Sequence, residues 1–349
     1  MKGKNRMIHF DLLRIFAAFS VVMLHSAAQF WYTLDVNSTE WLIANSYDAA
    51  FRFGVPIFVM ISGALFLRPG YQLDVKRLYT HNILRLSVIY MVWSCAYGIF
   101  DSIFYGLAAG GWKAVIREMI SGRYHLWFLP MIIGIYMLLP ILKGWLEHAE
   151  EKSIRYFLGL FLIFQIGSET LRALTVTDEL HQILDIPRIE MVCSYIGYFV
   201  WGYYLTHVGL GTKWKCFFLW GAIPAVCANI LLGNLLARQR GVPDAGIYDS
   251  YGVFTFVVAT TLFLIAKDYF SKMSFLETSS HLIQEVSACT LGIYLMHVGV
   301  MEWLQAVGIH SMVLPNVVGI PVYAVGCFAG CLLIAFLLRR IPFIGKYLC

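Results

Sequence analysis

Long apolar runs follow one another along most of this chain. A helix needs about 20 apolar residues to cross a hydrocarbon core of roughly 30 Å, where each backbone polar group must be bonded within the protein. Of the 349 residues, 59% are hydrophobic and only 13% are charged, whereas soluble domains carry roughly 25% charge. The runs predict an all-α polytopic membrane protein with about ten transmembrane helices. The predicted helices cover residues 8–30, 47–68, 83–107, 124–142, 154–173, 190–207, 214–236, 251–267, 286–305 and 314–338.

The distribution of lysine and arginine indicates the orientation of these helices. Both residue types accumulate in cytoplasmic loops, and most of the 26 lie before the first run, after the last run and in every second loop between. We therefore expect both termini in the cytoplasm. No repeat or linker divides the chain, which favours a single transmembrane domain over residues 1–349. Because topology explains the net charge of +5, the expected partner is the lipid bilayer and not a nucleic acid.

The eight cysteines are scattered and form no Cys-x-x-Cys pair. They predict neither a disulfide framework nor a metal site. No set of His, Asp and Glu has ligand spacing within one helix. We therefore expect no metal and no bound cofactor.

Arg14 and His25 are the most informative ionisable residues in the first apolar run. Such a side chain at the bilayer centre costs about 2.5–3.5 kcal/mol on insertion scales, so it needs a partner, water or a function. Arg14 and His25 are eleven positions apart, which on a helix is about 20° of rotation and roughly 16 Å of rise. They project from one face. Either they line a functional cleft, or Arg14 pairs with Asp11 and His25 is an ordinary interfacial histidine.

Other helices bring ionisable groups to the depth of His25. In the predicted topology these outer residues are Arg52, His125, His297 and Glu302. Histidine accepts and returns protons near neutral pH, so the outer group predicts proton-transfer chemistry. The basic residues toward the inside are Arg14, Arg68, Lys76, Arg77 and Arg85. These either hold phosphate groups or set the topology.

A basic inner mouth and a histidine-bearing outer chamber suit two classes of protein. One is an enzyme that takes a cytoplasmic donor and modifies an outward-facing acceptor. The other is a transporter of polysaccharide or lipid-linked sugar, although no pair of Gly- or Pro-broken helices occurs in matching halves. The residues alone leave this choice open.

Residues 11–25 carry an Arg-x10-His pattern, and three further blocks follow it at 53–66, 124–129 and 290–297. Together and in this order, the four blocks resemble the acyltransferase-3 family of membrane O-acyltransferases. Residues 41–56 are most similar to the branch that contains the enterobacterial common antigen O-acetyltransferase. The resemblance implies a bacterial inner-membrane enzyme with acetyl-CoA or another acyl-CoA as co-substrate. Its acceptor would be a sugar hydroxyl of a cell-surface or lipid-linked glycan.

The expected chemistry is general-base catalysis on that hydroxyl by His25. As the hydroxyl attacks the thioester, negative charge develops on the carbonyl oxygen and needs a donor, for which Arg52 and His125 are candidates. His297 is a second acid–base group, an acceptor contact or a structural hydrogen-bonding residue, and an acyl-histidine intermediate stays open. The predicted catalytic residues are therefore Arg14, His25, His125 and His297.

The substrate contacts follow from the same reasoning. The predicted acyl-donor-binding residues are Arg14, Arg77 and Arg85, and the predicted acceptor or oxyanion contacts are Arg52 and Glu302. The family's basic motif before helix three is only partly matched, because His81 stands where a more basic residue is expected. Ser62-Gly63 lacks the Gly-x-Ser-x-Gly turn of a nucleophile and is predicted to pack two helices together.

Overall fold

The computed structural model describes residues 7–104, 113, 116–117, 119–120, 122–175, 190–273, 279–341 and 345. Within these ranges every regular element is helical, which confirms the all-α class. The α-helices are α1 (Ile8–Ala27), α2 (Thr39–Phe51), α3 (Gly54–Phe66), α4 (Val75–Arg77), α5 (Leu84–Phe104), α6 (Phe128–His148), α7 (Glu151–Leu160), α8 (Ser168–Leu174), α9 (Glu190–Tyr203), α10 (Thr212–Arg240), α11 (Val253–Asp268), α12 (Ser280–Ala306) and α13 (Asn316–Arg339). Short 3₁₀ and π segments extend or join several of them, among them Tyr124–Trp127 before α6 and Tyr204–Val208 after α9.

Nine helical stretches of the described ranges are long and apolar enough to cross a membrane. They are Ile8–Phe30, Thr39–Phe66, Val75–Ile103, Tyr124–His148, Glu151–Leu174, Thr212–Arg240, Gly246–Lys272, Ser280–Ala306 and Asn316–Arg339. Nine predicted helices coincide with them, which confirms a polytopic membrane protein. The remaining prediction, 190–207, falls on α9, whose backbone leaves helical geometry at Ser194 (φ 5°, ψ −135°). Residues 105–107 of the third predicted helix lie outside the described residues, and the cytoplasmic position of the termini stays a prediction.

The second membrane helix begins eight residues earlier than its predicted start at 47. Ser38 caps it, because its hydroxyl accepts a hydrogen bond from the backbone N–H of Trp41 at 3.1 Å. The Trp41 side chain is fully buried. The cap and this burial stabilise the first turn of the helix. That turn contains polar residues, so a search for apolar runs does not include it. The helix is interrupted at Arg52 and Phe53, between α2 and α3.

Two glycines let α3 and α9 cross at very short range. A Cβ at Gly63 would lie 1.8 Å from the backbone oxygen of Phe199, and a Cβ at Gly202 would lie 2.0 Å from that of Met60. Close backbone approach through small residues is the usual way in which membrane helices pack. The predicted packing role of the Ser62-Gly63 pair is therefore confirmed.

Helix α1 runs through the centre of the bundle. It packs against α2, α3, α11, α12 and α13, and more than half of its residues are buried. Helix α12 is similarly enclosed. These two helices carry His25 and His297, so both histidines belong to the inside of the bundle and not to its lipid-facing surface.

Candidate active site

Three predicted histidines meet where α1, α6 and α12 converge. His25 lies in the last turn of α1, His297 lies in the middle of α12, and His125 lies in the 3₁₀ segment that leads into α6. The ring centroids of His25 and His297 are 5.0 Å apart, and those of His125 and His297 are 5.4 Å apart. His297 is therefore the middle member of the cluster. His297 and His125 are buried, with exposures of 0% and 2%, while His25 is half-buried.

The hydrogen bonds of His297 define which of its nitrogens is free. Its Nδ1 lies 2.6 Å from the backbone oxygen of Tyr294, and a carbonyl can only accept, so Nδ1 carries the proton. Nε2 is then the acceptor nitrogen, and it is buried without a protein partner among the described residues. Burial of an unpaired polar atom costs about 1–3 kcal/mol, so this nitrogen is available for a donor that the chain itself does not supply.

His125 is held less firmly than His297. Its Nε2 lies 3.5 Å from the backbone oxygen of Leu295, at the limit of a hydrogen bond. Its Nδ1 is buried and has no partner in the described part of the chain. Because a carbonyl can only accept, the proton of His125 lies on Nε2, where its hydrogen bond is weak, and Nδ1 is left as an acceptor.

Three tyrosines surround the imidazoles. The ring of Tyr97 lies 5.0 Å from that of His125, and the ring of Tyr124 lies 5.7 Å from that of His25. The Tyr97 hydroxyl donates to the backbone oxygen of Leu295 at 2.8 Å, and the Tyr294 hydroxyl donates to the backbone oxygen of His125. These contacts fix the backbone on both sides of the cluster and hold the rings in place.

An ionic cluster adjoins the tyrosines. The Arg123 guanidinium donates to Asp101 of α5 and to Glu302 of α12, and it lies over the ring of Tyr97 at 5.4 Å. Burial lowers the pKa of Arg123, but its hydrogen bonds to the two carboxylates raise that pKa above its ordinary value, so the guanidinium stays charged. Glu302 Oε2 is buried and has no partner among the described residues. Glu302, predicted as an acceptor or oxyanion contact, is thus joined to Arg123 and keeps one free acceptor atom.

Arg52 belongs to a different cluster. Its Nε and Nη2 donate to the two carboxylate oxygens of Asp48 at 2.8 and 2.7 Å, and its guanidinium lies over the ring of Tyr248 at 5.4 Å. Asp48 is buried and lies one turn earlier on α2. Bidentate pairing of this kind occupies one edge of the guanidinium and fixes its direction, so Arg52 is oriented by Asp48.

A cavity of about 280 Å³ lies along α1 close to the histidines, although none of the three lines it. Its lining at the end nearest the histidines includes Val21, Phe128 and Tyr294, each within about one helical turn of His25, His125 or His297. Its other end includes Arg14 and Leu86, and the walls are mostly apolar, with Ser62, Tyr136 and Thr290 as polar exceptions. The cavity therefore extends along α1 from Arg14 to within about one helical turn of the histidine cluster.

Arg14 also forms an ion pair with Asp11, which was one of the two interpretations that the sequence left open. Its Nη1 donates to Asp11 Oδ1 at 3.0 Å, and Asp11 accepts a second bond from the Ser287 hydroxyl at 2.8 Å. Asp11 is fully buried. The ion pair and the cavity are compatible, because Asp11 anchors the guanidinium at the edge of the cavity.

The other predicted donor-binding residues lie outside the cavity. Arg77 ends the short helix α4 and Arg85 lies in the first turn of α5, and both are exposed. His81 is exposed as well and contacts the Thr80 hydroxyl at 3.0 Å. Leu86, the neighbour of Arg85, lines the cavity. Arg85 therefore directly precedes a lining residue, and neither arginine lines the cavity itself.

Sequence reasoning missed Arg123, Asp101 and Tyr97. Arg123 directly precedes Tyr124-His125, and Asp101 is an acid near the end of an apolar run. Charged residues at such positions are expected to pair, which is the signal that could have identified them. In the described part of the chain, no group of three His, Cys, Asp or Glu residues is arranged to hold a metal ion.

Comparison with protein families gives one match. The sequence profile of the acyltransferase domain of the acyltransferase-3 family covers residues 7–339, nearly the whole chain. Comparisons with curated proteins and with solved structures give no significant match. The profile spans the Arg14 end of the cavity, the three histidines and all nine candidate membrane helices. The chain therefore belongs to the acyltransferase-3 family and is a multi-pass membrane acyltransferase.

Proposed function

We propose that this acyltransferase moves an acetyl group, or another small acyl group, from an acyl-CoA to a sugar hydroxyl of a cell-surface or lipid-linked glycan. The observation that carries the proposal is the gathering of His25, His125 and His297 about one helical turn beyond a cavity that Arg14 lines. The resemblance to the enterobacterial common antigen branch and a place in the bacterial inner membrane belong to the same proposal.

The acyl donor enters at the Arg14 end, which positive-inside topology places in the cytoplasm. The cavity has apolar walls with a few polar side chains, which suits an extended arm that ends in a thioester. Arg14, anchored by Asp11, binds the polar part of that arm. Arg77 and Arg85 are exposed and attract the phosphates of CoA through their charge.

The acyl transfer is a balanced exchange at the thioester carbon. The acceptor hydroxyl gives its proton to His25, and its oxygen forms a bond to the carbonyl carbon. The carbon–sulfur bond then breaks, and the CoA sulfur leaves with a proton returned by His25. His297, whose ring centroid lies 5.0 Å from that of His25, is the second acid–base group through which this proton is shared.

The developing oxyanion needs a preorganised donor. His125 fits this role better than Arg52, because His125 contacts His297 and its proton is weakly fixed. Arg52 is held by Asp48 in a separate cluster. We therefore assign the oxyanion contact to His125 and a positioning role to Arg52.

The acceptor site has the chemistry of a hydroxyl-binding site. His297 Nε2 and Glu302 Oε2 are both buried hydrogen-bond acceptors that lack a partner in the described residues, and both lie on α12. Sugar hydroxyls donate hydrogen bonds, whereas phosphates and ionised carboxylates do not. A sugar is therefore the class of acceptor that these two atoms favour.

The test uses the full chain in lipid vesicles with acetyl-CoA labelled in its acetyl group. Labelled donor is offered on the side of the Arg14 end, and label is counted in extracted glycans and lipid-linked sugars from the host membranes. Covalent label in the glycan supports the proposal. Movement of unmodified glycan across the vesicle, without labelling, would instead favour the polysaccharide or lipid-linked-sugar transporter.

A further inference from the structure

An apolar groove of about 220 Å³ lies between α5 and α12. Its walls include Trp93, Tyr97 and Phe100 from α5, and Met296, Gly299 and Val300 from α12. Both helices belong to candidate membrane spans, so hydrocarbon is the surrounding solvent. A groove with these walls is suited to an alkyl or isoprenoid chain.

The groove adjoins the histidine cluster through a shared wall. The Tyr97 ring, which lines the groove, lies 5.0 Å from the ring of His125. The Tyr97 hydroxyl accepts from the backbone N–H of Gly299 at 3.2 Å, which ties the two walls together. Met296 directly precedes His297. An occupant of the groove is therefore one side chain away from the candidate active site.

A polar cluster closes one end of the groove. Asp101 lies one turn after Tyr97 on α5, and Glu302 lies two residues after Val300 on α12. The Arg123 guanidinium donates hydrogen bonds to both carboxylates. Two carboxylates facing one guanidinium leave an excess of negative charge, and Glu302 Oε2 keeps a free acceptor position. This end therefore favours hydroxyl groups, whose O–H bonds donate, over anionic head groups.

We propose that the α5–α12 groove binds the hydrocarbon tail of a glycolipid acceptor, whose sugar hydroxyls reach Glu302 and His297. The proposal rests on the acyltransferase function given above and narrows its acceptor to a lipid-linked sugar. The acceptor enters sideways from the bilayer, while the acyl donor enters along α1. The two substrates thus approach the histidines by separate routes, and neither has to leave before the other binds.

Photo-crosslinking tests the groove without depending on activity. The probe is dodecyl β-glucoside with a diazirine in its alkyl chain, added to the full chain in lipid nanodiscs, and crosslinks are mapped by mass spectrometry. We expect them to concentrate on residues 93–100 and 296–300. Dodecyl β-glucoside should displace the probe at least tenfold better than dodecylphosphocholine does. Equal displacement by both, or labelling spread evenly over exposed side chains such as Trp220 and Ile223 of α10, would overturn the proposal in favour of ordinary lipid contact.

A pair of variants links the groove to catalysis. Ala96 and its neighbour Cys95 are both exposed. Ala96 lines the groove, whereas Cys95 does not. Ala96→Phe should lower groove crosslinking and acetyl transfer to lipid-linked glycan at least fivefold, with acetyl-CoA hydrolysis unchanged, whereas Cys95→Phe should alter none of them. If Ala96→Phe lowers the thermal stability, Val300→Phe takes its place.

The two proposals fail in different ways. Concentrated crosslinks in a protein that transfers no acetyl group would uphold the groove as a glycolipid site and contradict the acyl transfer. Transfer that Ala96→Phe and Val300→Phe leave at the wild-type rate would uphold the acyltransferase and contradict the groove as the route of the acceptor.

Discussion

The imidazole rings of His25 and His297 lie with their centroids 5.0 Å apart, on the first and the next to last α-helix of the described chain. His297 presents an acceptor nitrogen because its Nδ1 is bonded to Tyr294 at 2.6 Å. In the proposed mechanism, the relationship joins a general base, His25, to a second group that can hold its proton. Both helices are enclosed by the bundle, which keeps the pair away from lipid.

His297→Asn should abolish most of the transfer while preserving the fold. An asparagine amide can still donate to the Tyr294 carbonyl, but it offers no basic nitrogen. General acid–base groups contribute typically 10²–10⁴-fold to rate, and we expect a loss within this range in labelled acetyl transfer. The thermal unfolding temperature in detergent should stay close to that of the wild type. Full activity in a normally folded His297→Asn protein would assign the residue a purely structural role.

Glu302→Gln and Asp101→Asn form a matched pair. Each removes one carboxylate from Arg123, but only Glu302→Gln changes the side chain that carries a free acceptor oxygen. We expect Glu302→Gln to raise the KM for the glycan acceptor about tenfold, with a small effect on the KM for acetyl-CoA. Steady-state kinetics in nanodiscs checks this. Equal effects of both variants on the acceptor KM would mean that only the ionic cluster matters.

Arginines inside and outside the cavity should respond differently to salt. Arg14 lines the cavity and is anchored by buried Asp11, whereas Arg77 is exposed. Screening reduces interactions of exposed charges beyond about 10 Å at 0.1 M salt. Arg14→Gln should therefore raise the KM for acetyl-CoA by about tenfold at low and high salt alike. The smaller effect of Arg77→Gln, or of Arg85→Gln, should vanish as salt is added, and a salt-sensitive Arg14 effect would speak against its contact with the donor.

The crossing of α3 and α9 should tolerate no added methyl group. Gly63→Ala would bring a Cβ to 1.8 Å from the Phe199 backbone oxygen, and such overpacking costs typically about 1–3 kcal/mol. Gly134→Ala in α6 is the control, because its Cβ meets nothing within 4 Å and alanine favours a helix by roughly 0.5–1 kcal/mol. The first variant should lower the thermal unfolding temperature, and the second should leave it unchanged or raise it. A stable Gly63→Ala protein would contradict the close crossing.

Much of the fold could be read from the sequence, because apolar length and charge bias act locally. Nine predicted helices recur as candidate spans. The start of α2 was missed because Ser38 and Trp41 stabilise it through a cap and through burial, and neither contributes to an apolar run. Neither the pattern of apolar residues nor a proline marks the position of the kink at Ser194, so the sequence did not predict it.

The candidate site divides along the same line. The sequence could group His25, His125 and His297 because the predicted topology places them at one depth in the membrane. Polar side chains at the same depth meet when they all point to the inside of one helix bundle. The i, i+4 spacing of Asp48 and Arg52 is typical of an ion pair on a helix. The sequence analysis instead predicted that Arg52 contacts a ligand. The Arg123 cluster joins three distant segments, and no local pattern specifies such a meeting.

The role of His25 is tested most directly by comparing His25→Ala with His148→Ala. His148 is an exposed histidine at the end of α6, outside the cluster, so it controls for loss of an imidazole as such. The measurement is the rate of labelled acetyl transfer to glycan at saturating acetyl-CoA, with both proteins folded as judged by gel filtration and thermal unfolding. We predict that His25→Ala lowers this rate by about 10²–10⁴-fold and that His148→Ala leaves it at the wild-type value. Equal rates for the two variants would contradict His25 as the general base.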